Sequence, residues 1–134
     1  MKKLVIGLLA LFVLAACSGG SATIVGTWNL VSYGSTSSPA PAAPGVDTSI
    51  EFGSDGKLNG NVGCNQFNGD YKVDGDTITF GAVVSTLKFC EGPVGDQEAA
   101  TLALFNESAA FVIDGDTLTI TSADGNSVIV LARK

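Results

Sequence analysis

VDGDTITF at residues 73–80 and IDGDTLTI at 113–120 are almost the same phrase written twice. In each, apolar residues alternate with threonine after an Asp-Gly pair. Period two puts the apolar side chains on one face of a strand and the threonines on the other. Asp-Gly supplies the positive φ that a tight hairpin turn demands. Asp55-Gly56, Asn68-Gly69 and Asp124-Gly125 carry the same signal. Repeated turns between short alternating runs predict an antiparallel meander.

The flanking segments fit that path. Trp28 and Leu30, Ile50 and Phe52, Leu58 with Val62 and Cys64, Ile78 and Phe80, and Leu118 and Ile120 each share parity. FVI at 111–113 and VIVL at 128–131 are apolar on both faces and predict strands covered on both sides. One stretch, GDQEAATLALFNES at 95–108, has no turn signal and many helix formers. Asp96 is its expected cap, Glu98 lies in its first turn, and Ala99, Leu102, Phe105 and Ala109 form its apolar stripe. GSTSSPAPAAPGV at 34–46 reads as a surface loop, because proline removes ladder donors. The expected fold is mainly β (α+β): a small antiparallel barrel-like sheet of about eight strands with one helix packed across it.

The beginning of the chain sets the expected compartment. MKKLVIGLLALFVLAAC combines Lys2 and Lys3 with a short apolar run, small residues and a cysteine. That run is too short for a spanning helix, which needs about 20 residues, and it has the form of a secretory signal. Leu14-Ala15-Ala16-Cys17 resembles a bacterial lipobox. The resemblance implies a signal peptide over 1–16, a lipidated tether over 17–24 and a β domain over 25–134. Cys17 would then carry a diacylglyceryl thioether and an acylated amine, with palmitate among the acyl groups. Two or more acyl chains anchor a protein stably. The expected location is the cell envelope, and the periplasmic face of the outer membrane in a diderm organism. Ser18 after the cysteine is compatible with that.

Composition narrows the chemistry. The whole chain has seven Lys+Arg, 13 Asp+Glu and no histidine. Without Lys2 and Lys3 the balance is five against 13, a net charge of −8. Such a surface repels phosphate backbones, so no nucleic acid is expected as a partner. Lack of histidine removes Ser-His and Cys-His pairs and imidazole zinc sites. The DGDT phrases supply too few oxygen ligands for a calcium loop, and no Gly-rich phosphate loop opens a helix. The expectation is a non-enzyme with no metal and no cofactor.

With these pieces in place, the chain resembles the META domain family of HslJ-like envelope lipoproteins. The resemblance rests on the ordered set GTW at 26–28, FGSDG at 52–56, GCNQFNGDY at 63–71 and TLKFC at 86–90. It implies a barrel-like β fold with one helix. It also implies a role in envelope stress response, drug tolerance or secretion, the last from a likeness in shape to lipid-binding pilot lipoproteins. It implies no reaction and no ligand. The exported compartment and the motif carrying both positions favour a Cys64–Cys90 disulfide. Parity opposes it, since Cys64 is in phase with Leu58 and Cys90 with Lys88. Two separate buried thiols are the alternative. GCNQFNGDY reads mainly as turn and core, with a surface patch of Gln66, Phe67 and Tyr71 as the functional alternative. The leading function is a membrane-tethered, non-catalytic binding or structural module for an envelope protein or an amphiphilic ligand. An amphiphile would sit in a cavity between helix and sheet near Trp28, Phe52, Phe80, Leu102 and Phe105, although tight side-chain packing there is the simpler expectation for about eight strands. A protease-inhibitor-like role for the PAPAAPG loop at 39–45, or a secretion-pilot role, is the alternative.

Overall fold

The computed structural model describes residues 23–134. The predicted signal peptide, Cys17 and all of the predicted tether except Thr23 and Ile24 lie outside them. Ten strands and one helix follow in chain order. These are β1 (Gly26–Ser35), β2 (Ser38–Pro41), β3 (Ser49–Phe52), β4 (Lys57–Asn61), β5 (Gln66–Asp74), β6 (Thr77–Phe80), β7 (Val84–Ser85), α1 (Gly92–Leu104), β8 (Ser108–Asp114), β9 (Thr117–Ser122) and β10 (Ser127–Arg133). Eight of the strands close into an antiparallel barrel, in the order β1-β3-β4-β5-β6-β8-β9-β10, with β10 pairing back onto β1. The other two, β2 and β7, add to the first barrel strand and to β5.

The period-two faces fill the barrel. Trp28, Ile50, Phe52, Leu58, Ile78, Leu118, Ile120, Ile129 and Leu131 are all essentially without solvent exposure. An eight-stranded barrel has an interior that side chains can fill. The residues expected to line a cavity under the helix do not. Trp28, Phe52, Phe80 and Phe105 are packed core, and Phe80 and Phe105 stack at 4.7 Å. FVI at 111–113 is not covered on both sides, for Val112 faces solvent.

Two turn readings change. In the repeated phrases the ladder runs to Asp74↔Thr77 and Asp114↔Thr117. The two loop residues are therefore Gly75-Asp76 and Gly115-Asp116, one place later than Asp-Gly. Only the glycines have positive φ, 62° and 58°, which is the type II′ arrangement with glycine first. Asn68-Gly69 is no turn at all; it lies inside β5. Glycine is needed there because β-carbon substitution would meet Val83 at 2.8 Å.

The Pro-rich segment is also not a free loop. Pro39 and Pro41 alternate along β2, which pairs with β1 from Ser32↔Pro41 to Ser35↔Ser38. Alternation leaves the amides of the intervening residues for β1, and Ala42 N–H donates to the Val31 carbonyl at 2.8 Å. Proline is tolerated on such an edge strand. Where β1 passes from β3 to β2, its register on β10 slips between Leu30 and Ser32. Val31 is the extra residue, 45% exposed. The Leu30 amide donates to the Thr48 hydroxyl at 2.8 Å.

Core and outer positions should respond differently to truncation. Leu118→Ala is expected to cost about 2–5 kcal/mol in urea unfolding. Val112→Ser on the neighbouring strand should stay within about 0.5 kcal/mol. Equal effects would contradict the inward and outward assignment.

Candidate functional site

The two ends of the barrel are built differently. At one end the chain makes tight turns and begins its described course. At the other it also crosses by longer paths, over residues 42–48 and 86–107, and backbone groups such as the Ala43 amide and the Val62 carbonyl are met by side chains instead of a ladder. Helix α1 lies across this second end and answers those groups with side chains. Its buried face is therefore polar: Gln97, Glu98 and Thr101, with Leu104. Gln97 donates from Nε2 to the Val62 carbonyl at 2.6 Å and accepts at Oε1 from the Ala43 amide at 2.7 Å. The helix starts three residues before the predicted segment, at Gly92 after Glu91, with Pro93 in its first turn. Asp96 does not cap it. Of the predicted stripe, Ala99 is exposed, Leu102 half-buried, Phe105 ends the helix and Ala109 sits in β8.

Glu98 and Asn65 form the centre of this end. Both Glu98 oxygens accept at 2.7 Å, one from the Asn65 backbone N–H and one from its side-chain Nδ2. Asn65 then reaches the segment between β7 and α1. Its Oδ1 accepts from the Lys88 amide at 2.8 Å and the Thr86 hydroxyl at 2.7 Å, and its Nδ2 donates to the Lys88 carbonyl at 2.9 Å. Gly63 makes room, since a β-carbon there would lie 2.9 Å from the Glu98 side chain.

A disulfide joins Cys64 to Cys90 beside this network, with Cα atoms 6.0 Å apart and a sequence separation of 26. The parity argument against it fails because neither cysteine is on a strand. Cys64 lies in the bend between β4 and β5, and residues 86–91 are irregular. Chain entropy gives a cross-link of this span about 3.5 kcal/mol. Cys64, Cys90 and Glu98 bring two sulfurs and a carboxyl group within 4.8 Å of one another. Bonded to each other, the sulfurs are not thiolates and do not make a metal site.

The network has an outward consequence. With the Lys88 backbone and Cys90 held against the domain, the alternating residues point away. Leu87 is 95% exposed and Phe89 87%, with Val84 at 58% beside them. Large apolar side chains held clear of a well-bonded backbone form a rigid crest. The expected patch of Gln66, Phe67 and Tyr71 is not one surface. Phe67 packs on Phe105 at 5.5 Å, and Tyr71 is buried with its hydroxyl donating to the Gly53 carbonyl at 2.6 Å. Only Gln66 reaches solvent. Sequence reasoning missed Leu87 and Phe89. On irregular chain no periodicity marks which side chains face out, so the sequence carried no direct signal for them.

The opposite end carries a recess of ≈ 650 Å³. Tyr71, Val73, Phe111 and Ile113 line it from inward positions of β5 and β8, facing residues 23–25. Arg133 pins those residues, donating to the Thr23 carbonyl at 2.9 Å and the Val25 carbonyl at 3.2 Å. Its guanidinium lies 4.1 Å over the Trp28 ring. Burial, then the nearby Asp55 charge, pushes the Tyr71 phenol up from its ordinary value.

An eight-stranded barrel with a helix across one end, where the GCN and TLKFC segments meet, has the form of a META-type β domain. The chain belongs to the META domain family, whose model matches residues 22–134. A Burkholderia xenovorans protein solved by NMR is similar in fold, with TM-score 0.66, 18% identity and 81% of each chain covered. A DUF4847 family protein from Bacteroides vulgatus is also similar, with TM-score 0.57, 18% identity, 81% of this chain and 92% of the other. At such identities the likeness is one of fold. No curated protein matches the chain.

Glu98 and Asp96 should separate the observed helix from the predicted one. Glu98→Ala strands two buried donors of Asn65 and is expected to cost about 1–3 kcal/mol for each group left unpaired. Asp96→Ala, at an exposed position, should change unfolding by less than about 0.5 kcal/mol. A larger loss from Asp96→Ala than from Glu98→Ala would contradict this geometry.

Proposed function

We propose that this chain is a membrane-tethered, non-catalytic binding module of the cell envelope, which docks another envelope protein on the Leu87–Phe89 crest. The observation that carries the reading is the crest itself. A disulfide and five hydrogen bonds of Asn65 hold its base, while its two largest apolar side chains stay in water. Exposed apolar groups on an ordered frame suit recognition, because little conformational entropy remains to be lost on binding. Aromatic anchors of this kind dominate interface energy.

Other observations support the reading. The lipobox-like sequence gives Cys17 a route to acylation, and the described chain starts at the barrel end away from the crest. A tether there points the crest away from the membrane. The protein has no histidine and its most buried carboxyl group is occupied by Asn65. Among the described residues no helix is long and apolar enough to cross a membrane. Membership of the META family is compatible with a role in envelope stress or drug tolerance. An inhibitor reading has less support, because the Pro-rich segment is not a free loop. Residues 38–41 are paired to β1, Thr36 bonds to residues 125 and 126, and Ala43 bonds to Gln97.

In cells, a photo-crosslinking residue at position 87 of the full-length protein should give one discrete adduct with an envelope protein. The same residue at position 112, outward on β8, should not. Phe89→Ser should weaken the adduct roughly 30-fold, the effect of losing about 2 kcal/mol at a binding hot spot. Cys17→Ser should move the protein out of the membrane fraction. Diffuse adducts from 87 and 112 alike, or no effect of Phe89→Ser, would contradict docking at the crest.

A further inference from the structure

The recess at the tether end is apolar where it is deep and acidic where it opens. Val73, Phe111 and Ile113 hold inward positions in register with core residues Ile78, Ile120 and Leu118. Unlike those partners they are not fully covered by the described residues: Val73 is 45% exposed, and Phe111 and Ile113 are half-buried. The three turns around this end carry Asp55, Asp74, Asp76, Asp114 and Asp116. A type II′ turn requires only the glycine at its first central position; the repeated DGD phrase adds an aspartate on each side of it and so clusters negative charge at this end. The cations nearby are engaged or turned away. Lys57 pairs with Asp70 at 2.6 Å, and Lys134 with Asp47 at 3.0 Å. Arg133 holds residues 23–25 and lies 3.8 Å from Asp116. Lys72 is on the outer face of β5, opposite Thr79.

We propose that this mouth binds a single-chain cationic amphiphile, with the alkyl chain against Val73, Phe111 and Ile113 and the amine or ammonium head among the turn aspartates. A recess of ≈ 650 Å³ lies within the range of small-molecule sites, about 300–1,000 Å³. Charge complementarity selects the head group: the acidic rim repels fatty carboxylates and phosphate head groups. A further argument rests on the tether reading. Thr23 is six residues beyond Cys17, which at full extension is about 20 Å. An acylated Cys17 would hold the mouth near the bilayer surface, where amphiphiles concentrate. The site itself stands apart from the crest and does not require it.

The test uses the full-length protein in zwitterionic nanodiscs. It is photolabelled with dodecyltrimethylammonium bearing a diazirine at the chain end, and in parallel with dodecanoate bearing the same group. Peptide mapping locates the adducts. The cationic probe is expected to label peptides containing Val73 and Phe111, at least ~10-fold above the anionic one. Val73→Trp fills the recess and should remove these adducts, while in cells the same variant should leave the crosslink from position 87 intact. If that variant does not fold, Asp74→Asn with Asp76→Asn and Asp114→Asn, all on exposed turns, serves instead. It should bring the two probes to within about twofold of each other. Equal labelling of the unaltered protein by both probes overturns the charge assignment. Cationic adducts scattered over the surface, or unaffected by either variant, overturn the site. Loss of the crest crosslink with mouth labelling retained would instead count against the protein-docking reading alone.

Discussion

Glu98 is buried under the helix, and both its oxygens are taken by Asn65. Among the described residues no lysine or arginine pairs with it. A buried carboxyl group without hydrogen-bond partners is costly, so the position of one residue fixes the position of the other. Asn65 in turn fixes Thr86 and Lys88, and the disulfide fixes Cys90. Gln97 does the same for Ala43 and Val62 one position earlier on the helix. Two adjacent polar residues thus tie together the crossings that end β2, β4 and β7. The helix is a clasp on backbone that the barrel ladder cannot satisfy, more than a hydrophobic lid.

That role explains what the sequence made legible and what it did not. The barrel was legible because its inner face repeats every second residue, from Trp28 to Leu131, and glycines mark most of its turns. The helix was legible as an element but not in orientation. Its stripe of Ala99, Leu102, Phe105 and Ala109 answers the question of where apolar groups go, whereas the contact is governed by unpaired amides and carbonyls. Those belong to residues distant in sequence, such as Ala43 and Val62, and leave no periodicity. The Pro-rich strand was hidden for a related reason: proline opposes pairing only where its nitrogen faces the partner, and the alternation of Pro39 and Pro41 avoids that. At the disulfide, strand parity was the wrong tool for cysteines that sit on irregular chain. The patch of Gln66, Phe67 and Tyr71 was misplaced because β5 runs unbroken through Asn68-Gly69.

The two ends differ in character as well as in construction. The clasped end is rigid, cross-linked and carries the Leu87–Phe89 crest. The open end is acidic, partly hollow and holds the start of the described chain under Arg133. A protein tethered at the second and presenting the first has a simple division of labour, one end toward amphiphiles and the other toward a protein.

The crest is held from below, with a bonded backbone under free side chains. Residue-resolved amide hydrogen exchange on the oxidised protein tests it most directly. The amides of Asn65, Thr86 and Lys88, bonded to Glu98, Gln66 and Asn65, should exchange as slowly as barrel amides. Leu87 and Phe89 between and beside them should exchange rapidly. If Lys88 and Thr86 exchange as fast as those neighbours, the crest is a loose loop and the account is wrong.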